Sequence, residues 1–332
     1  MKKMYSKGYV TLAIGSHYRH LANNLAYTYR LNGDDGLPLC LAVDSSEGVD
    51  SGLFDKIVYI DQSKELIKPG LHKFLMNKYS PFEETIYIDA DMFFIKPITF
   101  LWKEFEGMNF SFIGSNSTSQ EWVKKFYNFE KAQKKYGITS APTFNGGFFY
   151  FKSNQISNKI FDDCFNLIDD YDYLEMPRWR GPISDEGLFS LAMAIQGEKS
   201  LELRPIPVPV IKKAVHLKLD VLKGKCNLYR NGVYHEPCLL HFLSHYTRQF
   251  IYKREANKLK MHKSKKSGWS IKLYEYVVNT YYILYSFLYN ITFLKFKRIP
   301  DFLPVNDPAV YFPKAVERNI NKILTKLGFN RD

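Results

Sequence analysis

Apolar residues fall into short runs along the first ninety positions, and segments with helical spacing separate them. Tyr9–Ile14 is a β-rich run and predicts a strand. From His17 to Leu31 apolar positions recur about every four residues, at Leu21, Leu25 and Tyr29, which predicts a helix. Leu37–Val43 and Lys56–Ile60 predict two more strands. Leu71–Tyr79 predicts a helix stopped by Ser80-Pro81, and Thr85–Ile88 a buried strand that runs into Asp89-Ala90-Asp91. Strands alternating with helices imply a parallel sheet covered on both faces. Ligands of such sheets gather beyond the carboxyl ends of the strands. Asp44, Asp89 and Asp91 all fall at predicted strand ends.

Further along, the spacing predicts strands over Phe110–Gly114 and Phe144–Lys152 and helices over Trp122–Tyr136 and Ile156–Tyr173. Ser184–Ile195 reads as a helix with Ser184 as its N-cap, the hydroxyl accepting a backbone N–H. Arg204–Val210 alternates three prolines, so it is extended but not a central strand. Cys238–Phe242 is a short apolar strand that carries His241. No internal repeat is present.

The length of 332 residues supports one large domain with an appendage, read as a catalytic body over 1–250 and an extension over 251–332. Hydrophobic residues make up 45%, which excludes a disordered chain, and the 16% of aromatics is foremost core material. The net charge of +12 is uneven: residues 251–332 hold 16 Lys or Arg against 6 Asp or Glu. A basic extension on a near-neutral body points to an anionic partner.

Within the extension, Ala256–Lys266 is rich in lysine, and Tyr276–Leu294 has no charge and nearly the length of a membrane span. Asn279, Thr280, Ser286, Asn290, Thr292 and five tyrosines make it a poor span, the weakest of three readings. With Lys295, Lys297 and Arg298 behind it, the stretch fits either a helix packed on the body or an interfacial segment. The second reading makes residues 256–298 a contact for an anionic membrane surface. Pro313–Leu327 predicts a further amphipathic helix ended by Gly328. Cys40, Cys164, Cys226 and Cys238 show no CxxC spacing, and no apolar stretch follows the basic Met1–Lys7. Free thiols and no signal peptide are the expectation, hence a cytoplasmic protein or one peripheral on the cytoplasmic face of a membrane.

The chemistry concentrates at Asp89-Ala90-Asp91. Two carboxylates spaced i, i+2 at the end of an apolar strand can hold one hard cation, Mg²⁺ or Mn²⁺, that keeps open positions for phosphate. A bare Asp-x-Asp is more often a pair of solvated acids, so its setting matters. The setting resembles a known family. Ser80 to Asp91 is similar to the central segment of glycosyltransferase family 8, the glycogenin and bacterial lipopolysaccharide galactosyltransferase group.

Other segments agree with that family in its order. Thr11-Leu12-Ala13 followed by Tyr18 resembles the opening nucleotide-binding strand, although Gly15-Ser16 replaces the usual Asn-Asp. Lys73 falls where the family has a basic residue that reaches the donor. Phe144-Asn145-Gly146-Gly147 resembles the strand whose Asn contacts the donor sugar while its glycines let backbone approach. Asp185-Glu186-Gly187 resembles Asp-Gln-Gly, with Glu186 in place of Gln near the reacting face of the sugar. His241-Phe242 resembles the late pair whose His completes the metal site. The Lys-Pro-Trp that usually follows is missing, leaving His245 and Arg248 as alternatives for the diphosphate.

The resemblance implies a Rossmann-like nucleotide-diphospho-sugar transferase fold (GT-A), mostly parallel in its central sheet, with a basic, largely helical extension outside the match. It implies a metal held by Asp89, Asp91 and His241, with nitrogen in the ligand set tilting Mg²⁺ toward Mn²⁺. It implies a nucleotide-sugar donor, UDP-linked, cradled by Thr11, Ala13, Tyr18, Lys73, Ala90, Gly146 and Gly147. Asn145, Asp185 and Glu186 would work at the sugar. The acceptor would be a glycan, glycolipid or protein hydroxyl. Two other readings remain open at this stage. A haloacid-dehalogenase-type phosphatase also places Asp-x-Asp after a strand, but it wants Thr or Val where Phe93 stands. A non-enzymatic membrane- or nucleic-acid-binding module would act through the basic extension, yet no compact nucleic-acid signature is present and no nucleic-acid partner is expected.

Overall fold

The computed structural model describes residues 3–60, 69–178, 183–212, 214–280, 322 and 325. The strands, in chain order, are β1 (Tyr5–Ala13), β2 (Leu39–Val43), β3 (Lys56–Tyr59), β4 (Phe82–Ile88), β5 (Met92–Phe94) and β6 (Phe110–Ser117). They continue as β7 (Ala141–Lys152), β8 (Ala214–Asp220), β9 (Lys225–Arg230), β10 (Val233–His235) and β11 (Leu239–His241). The chain divides into two compact units, Met1–Met92 with Pro97–Val208, and Phe93–Lys96 with Pro209–Asp332.

The first unit is built on a six-stranded sheet in the order β3-β2-β1-β4-β7-β6. β1 pairs parallel with both β2 and β4, β2 pairs parallel with β3, and β7 and β6 complete the sheet antiparallel. All five residues of β2 are buried, as a parallel strand covered on both faces requires. The chain leaves β1 toward β2 on one side and returns to β4 on the other. The carboxyl ends of β1 and β4 therefore flank the switch point at which sheets of this class bind ligands.

Packing under this sheet is largely aromatic. Phe110 and Phe112 stand with ring centroids 5.5 Å and 5.0 Å from that of Phe149, and Phe151, Phe161 and Phe189 join them. Each such pair contributes about 0.5–1.5 kcal/mol beyond simple burial. The abundance of Phe thus builds the core, as its frequency suggests.

The turn after β1 is set by Gly15, whose φ of 86° and ψ of 155° suit only a residue without Cβ. Its N–H donates to Asp44 Oδ2 at 2.9 Å, and Arg19 donates to Asp44 Oδ1 at 2.8 Å. Asp44 is therefore a brace between two strand ends and stands apart from the candidate metal ligands.

Several boundaries differ from the sequence pattern. The predicted helix over Trp122–Tyr136 is two pieces, Gln120–Val123 and Phe129–Tyr136. Asn128 breaks it by accepting the Lys131 N–H and capping the second piece. Ile156–Tyr173 is a helix only over Gln155–Asn166, followed by a 3₁₀ turn. The helix Asp185–Ile195 has Ser184 at its N-cap position, but the hydroxyl makes no cap hydrogen bond. The Leu71–Tyr79 segment begins as a 3₁₀ helix, Pro69–Leu75, and ends as one α-turn, Met76–Tyr79.

The second unit holds strands beyond those predicted from the sequence. β8, β9 and β10 form an antiparallel sheet in the order β10-β9-β8. β9 and β10 are joined by Asn231-Gly232, with φ of 52° and 80°, the left-handed pair that closes a two-residue hairpin. In the same unit β11 pairs with β5, and Ile95 N–H donates to Cys238 O at 2.8 Å.

The lysine-rich run of the extension lies partly on the helix Phe250–Lys263 and is not simply a solvated face. Lys258 is 1% exposed and Glu255 0%. The Lys258 ammonium lies 2.9 Å from Asp220, 3.1 Å from Glu255 and 3.4 Å from Glu275. Burial works against this ammonium, but Glu255 and Asp220 outweigh it and hold its pKa above the ordinary lysine value. Lys258→Met leaves three carboxylates around an apolar stem and is expected to cost roughly 3 kcal/mol, read as a lower urea midpoint.

Residues 268–280 are helical, with Ile271, Tyr274 and Val278 packed against Phe250 and Met261. The first residues of the uncharged stretch, up to 280, are thus part of a packed helix. The rest of Tyr276–Leu294, the basic residues after it and nearly all of the predicted helix Pro313–Leu327 lie outside the described residues. Among the described residues no helix is long and apolar enough to cross a membrane. The four cysteines are unpaired with one another, and burial pushes the Cys40 and Cys226 thiols up to about 12.

Candidate active site and metal centre

Ile86, Tyr87 and Ile88 are at most 1% exposed, and the strand ends there because Asp89-Ala90-Asp91 turns away. The Asp89 N–H donates to Gly147 O at 2.8 Å, tying the turn to β7. The Asp89 carboxylate accepts from Tyr87 OH at 2.7 Å and pairs with Lys73, whose ammonium lies 2.9 Å from Oδ1 and 3.1 Å from Oδ2. Lys73 also reaches Asp185 Oδ2 at 3.1 Å and Gly146 O at 3.3 Å. One ammonium therefore gathers residues from three separate segments. Burial opposes its charge, but Asp185 and Asp89 prevail and hold its pKa well above the ordinary lysine value.

The Asn145-Gly146-Gly147 segment sits in a bulge of β7. Against β6, Phe149 pairs with Phe112 and Phe144 with Gly114, so β7 carries three more residues over this stretch than its partner. The extra residues turn their own groups toward Glu186. Glu186 Oε1 accepts from Gly146 N–H at 2.8 Å and from Asn145 Nδ2 at 3.3 Å. A Cβ on Gly146 would stand 3.0 Å from Glu186 Cγ, which explains a glycine at that point.

Asp185 and Glu186 open the helix Asp185–Ile195, where its macrodipole favours carboxylates. Burial, and then the neighbouring Asp185 charge, raise the Glu186 pKa, while the Gly146 N–H and Lys73 act the other way. A carboxyl with a folded pKa above its unfolded value contributes most stability at low pH, and that contribution is lost as pH rises through the folded value. Glu186→Gln is therefore expected to raise the melting temperature at pH 7–8 relative to the native chain by more than at pH 4, as differential scanning fluorimetry across pH would show.

His241 ends β11. Its N–H donates to Pro209 O at 3.2 Å, its carbonyl accepts from Ile211 at 2.9 Å, and the residue is 3% exposed. One ligand atom from each of Asp89, Asp91 and His241 lies within 4.8 Å of the other two. Two carboxylates and an imidazole, with Asp91 5% and His241 3% exposed, fit a divalent ion in both donor type and burial.

The remaining candidates are placed as follows. Thr11 and Ala13 are buried on β1, Ala13 at its carboxyl end, and the Thr11 hydroxyl has no hydrogen-bond partner among the described residues. Tyr18 is 41% exposed on the helix Ser16–Thr28 that follows. Ala90 is buried between the two acids. His245 and Arg248 are both exposed on the 3₁₀ turn Ser244–Arg248, so burial does not separate them as candidates. The reading of single motifs missed Tyr87 as a partner of Asp89 and the ion pair from Lys73 to Asp185. Tyr87 and Asp89, two apart on an apolar strand, were a visible signal for the first; the second joins distant segments and has none.

No family model matches the chain, and no curated protein matches it. Its fold is mixed α/β with a mostly parallel central sheet, and solved structures of sugar transferases are similar to it. An active-site mutant of LgtC matches at 12% identity and a TM-score of 0.49, over 72% of this chain and 87% of that one. Galactosyltransferase LgtC in complex with donor and acceptor sugar analogs matches at 12% identity and 0.48, over the same shares of 72% and 87%. Mouse xyloside xylosyltransferase 1 in its apo form matches at 14% and 0.39, over 60% and 84%. With TM-scores below 0.5 these likenesses carry no argument, and the chemistry has to come from the side chains of this chain.

Proposed function

We propose that this protein is a metal-dependent glycosyltransferase that moves a sugar from a nucleotide-diphosphate donor, UDP-linked, to an acceptor hydroxyl with retention of configuration. The observation that carries the reading is the convergence of Asp89, Asp91 and His241 within 4.8 Å of one another. That cluster stands beside a Lys73 ammonium shared between Asp89 and Asp185. Asp89, Asp91 and His241 would hold Mn²⁺ or Mg²⁺, and the ion when bound would neutralise charge on the departing diphosphate.

The chain's own residues account for the rest. Lys73 pairs with Asp89 and Asp185 and fixes both carboxylates in place, so neither must reorganise when the donor arrives. Asp185, so positioned, accepts hydrogen bonds from sugar hydroxyls. Asn145 and the Gly146 N–H aim the Glu186 carboxylate at the sugar, where it stabilises positive charge that develops at the anomeric carbon. Thr11, Ala13 and Tyr18 line the nucleotide end, and His245 or Arg248 meets the diphosphate. The acceptor is a glycan, glycolipid or protein hydroxyl, and the basic extension suits one presented at an anionic membrane surface on the cytoplasmic side. Phe93, where a phosphatase of the haloacid dehalogenase type needs a hydroxyl or small residue, is stacked on Tyr252 with ring centroids 4.7 Å apart.

A screen of nucleotide sugars with Mn²⁺, read as nucleoside diphosphate release and followed by NMR of the product anomer, tests this reading. A UDP-sugar turned over with its anomeric configuration kept is the expected result. Phosphate release from phosphomonoesters, with no nucleotide sugar consumed, would overturn it.

A further inference from the structure

The hairpin sheet of the second unit has two unlike faces. Leu217, Leu219, Cys226 and Leu228 turn inward and are at most 8% exposed. Leu228 pairs with His235 and Arg230 with Val233, and residues two apart on a strand share a face. Arg230 and His235 therefore belong to the inward, apolar face, at its hairpin end.

Both carry a buried nitrogen, Arg230 Nε and His235 Nδ1, and neither nitrogen has a hydrogen-bond partner among the described residues. No described carboxylate acts on Arg230 either; burial alone lowers its pKa. A half-buried guanidinium with nothing to offset its desolvation is costly, and folded proteins seldom leave such groups unsatisfied. The contrast with Lys258 in the same unit is plain, since that ammonium is ringed by three carboxylates.

Among the described residues no acceptor is present for either nitrogen, so solvent at the open end of the sheet or a group from outside the chain has to supply one. The guanidinium fork takes two oxygens of an oxyanion side-on. On neighbouring strands the two residues are diagonal, about 7–8 Å apart at the backbone, which long side chains span. A planar carboxylate would have both oxygens used by the guanidinium, whereas a tetrahedral phosphate keeps a third for the imidazole. The Asn231-Gly232 turn fixes the register, and Val233 and Tyr234 beside it are 55% and 63% exposed, so this end of the sheet is open to solvent. We propose that Arg230 and His235 form a binding site for a phosphate group, carried by a phospholipid headgroup or by a soluble phosphate ester. The site shares no residue with the Asp89 centre and does not rest on the transferase reading.

Thermal unfolding of the full chain in inorganic phosphate, against sodium chloride of equal ionic strength, tests it. Phosphate should raise the native midpoint by a few degrees more than chloride does, and Arg230→Met should remove that increment. Without phosphate, Arg230→Met should melt no earlier than the native chain, because it keeps the apolar stem and deletes an uncompensated charge. His235→Gln, a milder change, should lose part of the increment. Sedimentation with phosphatidylglycerol vesicles, against phosphatidylcholine alone, separates the sources. Arg230-dependent pelleting with the anionic vesicles assigns a headgroup, and a phosphate increment without pelleting assigns a soluble ester. An increment equal in native and variant chains, or none beyond chloride, overturns the site. So does an earlier melt of Arg230→Met without phosphate, which would reveal a partner within the chain.

Discussion

Asp91→Asn is expected to lower turnover by roughly a thousandfold or more while leaving the protein folded. The substitution keeps shape and removes only charge. Asp91 is 5% exposed and sits within 4.8 Å of ligand atoms on Asp89 and His241, so its carboxylate belongs to a concentrated negative site. Losing one anionic ligand weakens divalent ion binding and the charge neutralisation that a diphosphate leaving group needs, an effect of several kcal/mol. Removing one of two clustered carboxylates also relieves repulsion, so the melting temperature should hold or rise in the absence of metal. Nucleoside diphosphate release and a thermal melt on the same preparation check both halves. Turnover within about tenfold of the native rate would take Asp91 out of the catalytic centre.

Lys73→Met is the second large effect, and it acts on stability and activity together. The ammonium lies 2.9 Å from Asp89 and 3.1 Å from Asp185, and the side chain is 17% exposed. Deleting it leaves two carboxylates facing each other with no counter-charge. The cost should be roughly 3 kcal/mol, near the low end for a buried pair because some solvent reaches it. That corresponds to a fall of roughly 6–12 °C in melting temperature for a domain of this size. With its folded pKa raised, Lys73 contributes its full stabilisation below the unfolded value and loses it only as pH climbs through the folded one. Its own share of the difference between native and variant chains should therefore be flat from pH 6 to 9. Asp89 and Asp185 would also lose their fixed geometry, and turnover should drop roughly a hundredfold. A variant as stable as the native chain would make Lys73 an ordinary surface lysine.

The first four strands were legible because each is a short apolar run between breakers, and a parallel strand buried on both faces has no other pattern to show. The acid pair was legible for the same reason, as it punctuates the most apolar of those runs. Asn145-Gly146-Gly147 could be read as a bulge or as a contact for the sugar, and β7 makes it a bulge that turns its own amides toward Glu186. β8 to β10 escaped although Val215, Leu217 and Leu219 alternate with His216, Lys218 and Asp220, the period of a half-buried strand. The Asn231-Gly232 pair was a further usable signal there, and it went unused. Trp122–Tyr136 shows how periodicity misleads: the apolar spacing persists through Phe126 and Tyr127, yet Asn128 starts a new helix. The Lys258 network could not be read from the sequence, since a lysine that pairs with Glu255 on its own helix and with Asp220 and Glu275 on two other segments looks like any other lysine in a basic run.

The most direct test of the central claim is a calorimetric titration of UDP into the protein, once with Mn²⁺ and once with EDTA. Asp89, Asp91 and His241 gripping an ion that takes the diphosphate predicts strong binding with Mn²⁺, and loss of at least roughly tenfold in affinity with EDTA. Equal affinity in the two titrations would contradict it.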